Sequence, residues 1–404
     1  MKAVILAAGE GSRCRPLTLT KSKVMLPVAN KPVLEHIIES LEKCSITDII
    51  LIVDYEKERI MDHFEDGKDF GVNITYIHQS AQLGTAHALL QTQEHVKDEN
   101  QFLVLNGDNV VEPETISDLI EDAEGDASVL TQKMKNTSNY GVVITDNKKI
   151  EKIVEKPEEK ISNLVNTGIY LFTPNIFQII KQTPISEKGE YAITDTLQLM
   201  IDYGYQVTNV NTKSRWIDAI FAWDLLTANS IVLGEYEDFK RKGDIEDGAV
   251  IKGDVEIGEN TTIRSGCYII GPVIIGDNCE IGPNAVILPS TTIGHNSSVE
   301  SFTHLQNAIV MNDTRISTHS YLSNSVIGNN NTIGTHFITE EKDSLKIEIK
   351  GMLHKADRLG TIIGDDNLIR DNVLVKAGTL IGTDCRVESG NVVQERLEKS
   401  SIVI

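Results

Sequence analysis

The sequence has 404 residues, with 38 Lys and Arg against 59 Asp and Glu, for a formal net charge of −21. At roughly 150 residues per domain this length calls for two or three domains, and the acidic balance argues against a surface built to coat nucleic acid or an anionic membrane. No apolar run approaches the roughly 20 residues of a membrane span, and Ala3 to Ala8 is too short for a signal-peptide core, so a cytoplasmic protein is expected.

Lys2 to Ala8 has the apolar pattern of a buried strand and runs into the glycine-rich turn Gly9-Glu10-Gly11-Ser12-Arg13. Pro32 to Cys44 carries apolar residues near helical spacing, Ile49 to Val53 reads as a strand, Gly84 to Gln93 as a helix and Phe102 to Leu105 as another buried strand. This alternation predicts a doubly wound, Rossmann-like α/β domain. Ligands of such sheets sit at the carboxyl ends of the strands, where Gly9 to Arg13 and Asn106-Gly107-Asp108 fall. Bare backbone N–H groups in the glycine turn suit phosphate oxygens, and Arg13 adds a fork that grips two of them. Ile220 to Lys242 reads as a connecting helix.

Beyond that helix the sequence changes in kind. Seventeen of the 21 Phe, Trp and Tyr precede residue 249. From Ile251 an aliphatic residue recurs every six positions: Ile257, Ile263, Ile269, Ile275, Ile281, Ile287, Ile293, Val299, Leu305, Met311. Two positions before each stands a mostly small residue, and Gly258, Gly276, Gly282 and Gly294 follow others, where glycine is expected to supply corner conformations. The register slips through Ile316, Leu322, Ile327 and Ile333, breaks for an excursion at about 335–361, and resumes as Ile363, Ile369, Val375, Ile381, Val387 and Val393. A six-residue period is that of a β-solenoid with hexapeptide faces. The five cysteines form no CxxC pair and read as small buried hydrophobes. The expected domains are 1–228, a connecting segment 229–248, and a solenoid 249–404.

The hexapeptide pattern over about 245–395 resembles the left-handed parallel β-helix of the hexapeptide-repeat acyltransferases, which serves either as an acyltransferase or as an oligomerisation platform. The first half carries LAAGEGSRCRPLT followed by KSKVMLPVANKPVLEH, with Lys23 four residues before Pro27. Gln79-Ser80-Ala81-Gln82-Leu83-Gly84-Thr85-Ala86, Asn106-Gly107-Asp108, Tyr140-Gly141, Glu155-Lys156-Pro157, Asn166-Thr167-Gly168, Gly189-Glu190-Tyr191 with Thr194-Asp195, and Trp216-Ile217-Asp218 follow in order. This set resembles the sugar-1-phosphate nucleotidylyltransferase family over residues 1 to about 228.

The resemblance implies attack by a sugar-1-phosphate oxygen on the α-phosphorus of a nucleoside triphosphate. It puts Arg13 and Lys23 on the triphosphate, with Lys21 as the alternative lysine, and Gly9, Gly11, Gln79, Gly84 and Thr85 around the nucleotide. Asp108 and Asp218 would hold Mg²⁺, and Gly141, Glu155, Lys156 and Asn166 would receive the sugar phosphate. QSAQLGTAHAL most resembles the uridylyl branch joined to a hexapeptide domain, the archaeal type of bifunctional N-acetylglucosamine-1-phosphate uridylyltransferase. There Gln79 and Gly84 would read the uracil edge. The expected reaction is UTP plus N-acetylglucosamine-1-phosphate giving UDP-N-acetylglucosamine and pyrophosphate; a glucose-1-phosphate thymidylyltransferase is the alternative. A regulatory nucleotide-sugar-binding protein without turnover is a third reading.

Bifunctional relatives acetylate an amino-sugar phosphate with acetyl-CoA, using a histidine three residues before a tyrosine. Here that stretch is Thr318-His319-Ser320-Tyr321, so Thr318 holds the base position and His319 points to another face. The asparagine expected after a GAGT-like segment is missing from Gly334 to Thr339. Acetyltransferase activity on glucosamine- or galactosamine-1-phosphate is therefore expected to be weak or absent, with His319, Tyr321 and Lys346 the candidates and acetyl-CoA the cosubstrate if it occurs. A homotrimer built through the solenoid is the expected assembly.

Overall fold

The computed structural model describes residues 1–186 and 189–404. The chain forms two compact units, one of Met1–Glu10 with Val33–Asp218 and one of Gly11–Pro32 with Ala219–Ile404.

The first unit is built on a nine-stranded sheet in the order Asn73–His78, Asp48–Val53, Ala3–Ala7, Phe102–Asn106, Leu164–Phe172, Ala127–Lys133, Val207–Thr212, Lys149–Val154, Val142–Asp146. The first four strands are parallel, with Ala3 opposite Ile49 on one side and Leu103 on the other. AVILA and FLVL are buried throughout or nearly so, as strands covered on both faces must be. The Rossmann-like reading holds for this part, and Leu164–Phe172 then joins antiparallel, making the sheet mixed. Strand order reverses between Ala3–Ala7 and Phe102–Asn106, which makes their carboxyl ends the switch point where ligands of such sheets bind. The helix expected over Gly84 to Gln93 is two pieces, Thr85–Leu90 and Gln93–Val96. The Thr92 hydroxyl bonds Leu89 O (2.7 Å) between them.

The second unit is a parallel β-solenoid with three short strands per coil. Ile251 stacks on Ile269 and Ile287, Val255 on Val273 and Thr291, and Ile263 on Ile281 and Val299, each a step of 18 residues. The aliphatic series forms one continuous interior, and Cys267, Cys279 and Cys385 lie within it as the sequence implied. At Met311 the expected register fails: Ile293 stacks on Val310, and Val310 is the interior residue. The reason is a corner one residue short. Leu305 to Leu322 and Tyr321 to Ile338 are steps of 17, with Asn307 and Asn324 at the shortened corners in left-handed conformation and joined by a 2.7 Å hydrogen bond.

The glycine expectation also changes. Gly258, Gly276, Gly282 and Gly294 do not have positive φ; those corners are turned by Asn260, Asn278, Asn284 and Asn296, which do, as Asp313, Asn330 and Asp366 turn later ones. Asn and Asp tolerate that region better than other side chains, and here they also bond from coil to coil, as in Asn278 to Asn296 (3.2 Å). Glycine is needed where coils approach most closely, since a Cβ on Gly276 would lie 2.8 Å from His295 N.

The excursion is an antiparallel hairpin, Lys342–Ile349 with Met352–Leu359. It lengthens one step to 36 residues, Ile333 to Ile369, without altering the stacking. The helix expected over Ile220 to Lys242 is Asp224–Glu235. It starts where Asp224 Oδ2 accepts from Phe221 N (2.8 Å).

Candidate active site

In the first unit, the strand Phe102–Asn106 ends in the turn Gly107-Asp108, and the chain continues as Asn109–Val111. Gly107 N donates to Leu6 O (2.9 Å), fixing the turn against the end of the first strand. Asn109–Val111 pairs antiparallel with Trp216–Asp218, so that Asp218 lies directly opposite Asn109. Residues 110 apart in sequence, Asp108 and Asp218, thus come to adjacent positions of one two-stranded ribbon.

A third oxygen belongs to this ribbon. Asn109 is buried, and its Oδ1 is shielded from solvent with no donor among the described residues. A buried amide oxygen without a partner costs free energy unless a ligand satisfies it. Among the described residues no group of three or more His, Cys, Asp or Glu gathers, so no all-carboxylate cage exists. Two carboxylates and an amide oxygen suit Mg²⁺, which is commonly held by one or two carboxylates together with substrate phosphates. Asn109 escaped the sequence reading; its only signal is a polar residue opening an otherwise apolar strand.

Asn166-Thr167-Gly168 forms a bulge in Leu164–Phe172, where the pairing shifts between Asn166 and Tyr170. Gly168 has φ +77, and a Cβ there would lie 2.1 Å from Asn106 Nδ2, so only glycine lets the bulge close on the strand end that carries Asp108. The bulge aims Asn166 toward a small cluster. Its N–H donates to Gly141 O (2.8 Å), its Oδ1 accepts from Gly168 N (3.0 Å) and its Nδ2 donates to the Tyr170 hydroxyl (2.8 Å).

Gly141, Glu155 and Asn166 do come together. A Cβ on Gly141 would meet Glu155 Oε2 at 2.8 Å, with Asn166 Cβ at 3.7 Å and Thr194 Cγ2 at 3.8 Å. Lys156 Nζ lies 3.1 Å from Glu155 Oε1. Asp195 belongs here too: burial chiefly, and the Glu155 charge after it, raise its carboxyl above the usual range. Burial likewise raises the Tyr170 hydroxyl. Tyr140 packs edge-on against Trp216 (5.5 Å between centroids), tying this cluster to the Asp218 strand.

The segment from Gln79 to Ala86 is pinned at several points. Gln79 is buried, with Nε2 3.3 Å from Gly84 O and 3.2 Å from His87 Nδ1. A Cβ on Gly84 would meet Tyr191 O at 2.5 Å, while Tyr191 N donates to Leu83 O (2.7 Å). The Thr85 hydroxyl accepts from Ile193 N (3.0 Å), which gives Thr85 a structural bond besides any ligand contact. Gln82, assigned no role by sequence, donates to Ala8 O (3.3 Å) and to Asp54 Oδ2 (2.9 Å), joining the segment to the first strand end. Gly9 has nothing within 4 Å of a hypothetical Cβ, so it leaves open space.

In the second unit, Gly11–Pro32 is a loop of three single 3₁₀ turns, Ser12–Cys14, Leu17–Leu19 and Lys23–Met25. Gly11 (φ +67) lies against the Lys23 stem, 2.5 Å from where a Cβ would meet Lys23 Cβ, and its carbonyl accepts from the Thr18 hydroxyl (2.9 Å). Arg13 is exposed and Lys23 half-buried. Lys21, the alternative lysine, is buried, its Nζ 2.8 Å from each Asp365 oxygen. Burial pushes the Asp224 carboxyl up to about 6, and the Lys23 charge acts against that rise.

The acetyltransferase candidates are not brought together. His319 stands exposed on an outer corner at φ 58, stacked between Phe302 (4.9 Å) and His336 (5.0 Å). Tyr321 stacks instead on His304 (4.9 Å). Lys346 is exposed on the hairpin, opposite Lys355.

No helix among the described residues is long and apolar enough to cross a membrane.

Comparison with known proteins agrees with this layout. The nucleotidyl transferase family model matches residues 2–233, and the GMPPB C-terminal domain model matches residues 269–381. The chain is 36% identical over 409 residues to the bifunctional protein GlmU of Methanocaldococcus jannaschii, covering all of this chain and 97% of that protein. It is 39% identical over 322 residues to the low-salt glycan biosynthesis nucleotidyltransferase Agl11 of Haloferax volcanii, covering 78% of this chain and 89% of that one. A solved structure from Bacillus anthracis, assigned as a glucose-1-phosphate thymidylyltransferase and carrying sucrose, aligns with a TM-score of 0.53 and 33% identity over 60% of this chain and 98% of its own. A family model spanning more than half of the chain, relatives matching it end to end and the paired Asp108 and Asp218 strands lead to one assignment: the chain belongs to the nucleotidyl transferase family, among the sugar-1-phosphate nucleotidylyltransferases of the archaeal GlmU-like type.

Proposed function

We propose that the protein transfers a uridylyl group from UTP to N-acetylglucosamine-1-phosphate. A phosphate oxygen of the sugar phosphate attacks the α-phosphorus in line, the α–β phosphoanhydride bond breaks, and pyrophosphate leaves with the electron pair. The observation that carries the reading is the register setting Asp218 opposite Asn109, beside Asp108, at the end of a strand lining the switch point.

Both reactants are anions, so the barrier is chiefly one of charge and alignment. Arg13 and Lys23 bind the triphosphate, while Gly9 and Gly11 admit the phosphates close to the backbone. Gln79 and Gly84 face the uracil edge, with Thr85 beside them. Gly141 leaves room for the sugar, and Glu155 and Asn166 accept or donate to its hydroxyls, with Lys156 on its phosphate. Asp108, Asp218 and the Asn109 amide oxygen would hold Mg²⁺, which when bound supplies charge neutralisation between the two phosphates. The nucleophile is already ionised, so this chain need supply no general base.

In this reading the catalytic domain is 1–228, the connecting segment 229–248 and the solenoid 249–404. The solenoid coil is left-handed, supported by its hexapeptide period and its column of left-handed Asn and Asp corners. It packs as a homotrimer in the cytoplasm; the exposed Val250, Ile338 and Val392 in one outward column support such packing. Its acetyltransferase activity is weak or absent, supported by the separation of His319 from Tyr321.

The bifunctional naming of the full-length Methanocaldococcus relative favours a second reading in which the solenoid also acetylates glucosamine- or galactosamine-1-phosphate from acetyl-CoA. The Bacillus similarity favours dTTP with glucose-1-phosphate as the alternative pair. A panel of four nucleoside triphosphates against several sugar-1-phosphates, with acetyl transfer assayed on the same preparation, decides among them. Tenfold or higher kcat/KM with dTTP and glucose-1-phosphate would overturn the uridylyl assignment.

A further inference from the structure

We infer that Asp365, in the solenoid, is a positioning residue for nucleotidylyl transfer: it acts through Lys21 on the loop that carries Arg13 and Lys23. The inference rests on the function proposed above and adds a residue that touches neither substrate.

The loop cannot hold its own shape. Its regular structure is three single turns and the two-residue pairing of Pro27–Val28 with Lys31–Pro32, so its conformation depends on what it packs against. Several definite anchors lie within the second unit. Ala29 N donates to Asn229 Oδ1 (2.8 Å), Asn30 Nδ2 to Ile293 O (2.7 Å), and Cys14 Sγ reaches Ile220 O (3.5 Å). A buried, charged anchor is Lys21, whose Nζ lies 2.8 Å from both oxygens of Asp365 and 3.8 Å from Met311 Sδ, with the Thr20 hydroxyl also donating to Asp365. Both charged side chains are about 3% exposed.

The solenoid does not need this charge. Asp277, His295, Asn312, Asn329 and Asp365 occupy one column, and each accepts a hydrogen bond from the backbone N–H of the preceding coil: Glu259, Asp277, His295, Asn312 and Asn329 respectively. Asn312 and Asn329 do this with a neutral amide. Asp365 does it with Oδ1 (2.8 Å from Asn329 N), so its negative charge is surplus to the stacking and is used on Lys21 and Thr20. A buried ion pair stabilises little relative to apolar replacements, but it defines position well, because moving either partner leaves a charge unpaired. Lys21 is two residues from Lys23, and the Lys23 stem is held against Gly11. Fixing Lys21 therefore fixes the cationic end of the loop.

The test compares wild type with Lys21→Met, Asp365→Asn and the double variant K21M/D365N, the last avoiding an unpaired buried charge while keeping the amide oxygen that the column uses. The expected result for the double variant is a KM for UTP raised about tenfold or more, with the KM for the sugar phosphate within about twofold and a melting temperature within about 3 °C of wild type. Amide hydrogen exchange should accelerate across Gly11–Pro32 and not in the coils from Ile251 to Ile293. A folded double variant with wild-type UTP kinetics overturns the inference, whether or not loop exchange changes. Wild-type protein that neither turns over nor binds any nucleoside triphosphate with Mg²⁺ overturns the functional reading itself, an outcome distinct from the first.

Discussion

Gly168 and Asn106 meet so closely that a single methyl group on the first would overlap the side-chain amide of the second at 2.1 Å. The contact joins the bulge carrying Asn166 to the strand end that leads into Asp108. Gly168→Ala combines this clash with a left-handed backbone that costs a side chain about 1–2 kcal/mol. It should lower the melting temperature and reduce kcat/KM about tenfold or more by displacing Asn106 and the turn after it. Steady-state kinetics with thermal unfolding checks both, and an unaffected rate would detach the bulge from the site.

Asp108→Asn and Asp218→Asn should each lower kcat by about 100-fold or more, since in the proposed reading each carries a charge that would hold Mg²⁺ at the transferring phosphates. Neither should shift the melting temperature much, because both positions are partly exposed. Asn109→Ala should raise the Mg²⁺ concentration needed for half-maximal rate while leaving saturated kcat within a few-fold. Rate against Mg²⁺ concentration separates the three variants.

Asp224 gives the protein a defined pH dependence. Its folded pKa of about 6 lies above the ordinary 3.8. Between about pH 4 and 6 the folded chain keeps a proton that the unfolded chain has released, so stability falls as pH rises through that window and levels off above it. The full effect is about 3 kcal/mol. Asp224→Asn should therefore match wild type near pH 4 and be more stable at pH 8. Because the Lys23 charge lowers this pKa, Lys23→Met should move the window upward. Denaturant unfolding at several pH values measures both.

Glu155→Gln should raise the KM for N-acetylglucosamine-1-phosphate about tenfold, the scale of one hydrogen bond to a charged group, and leave the UTP KM within about twofold. Its removal should also lower the Asp195 pKa, since the Glu155 charge helps raise it. Nuclear magnetic resonance titration of Asp195 in the two proteins would detect that change.

Acetyl transfer to glucosamine-1-phosphate should run at about one-hundredth of the nucleotidylyl transfer rate or less, the scale of a lost general base. His319→Ala should leave even that residual rate unchanged. Coenzyme A release is the readout, and a large drop on removing His319 would contradict its place on the outer corner.

Much of this architecture was legible because a repeat and a motif set both act at fixed spacing. The six-residue step named nearly every interior residue of the solenoid, and strand ends in an α/β sheet located Gly9 and Asp108. Met311 misled because a corner can lose one residue without interrupting the stacking, and a period alone cannot say which corner. The glycines misled differently, since close coil approach and positive φ both demand the same residue type. Asn109, Gln82 and Asp195 went without roles because what marks them is pairing, a long-range hydrogen bond and burial, none of which is local in sequence. The motif already favoured Lys23, four residues before Pro27, over Lys21, but the partner of Lys21, a carboxylate 344 positions further on, was not legible in it.

The grouping of Gly11–Pro32 with Ala219–Ile404 has a practical meaning for dissection of the gene. The backbone passes from one unit to the other three times, at Glu10–Gly11, Pro32–Val33 and Asp218–Ala219, where a simple tandem fusion would pass once. A fragment cut after Asp218 would carry Arg13 and Lys23, proposed to bind the triphosphate, on a strip of chain parted from the rest of its own unit. A cut there divides one unit and does not sever a link between two, because the units are interleaved along the sequence and not laid end to end.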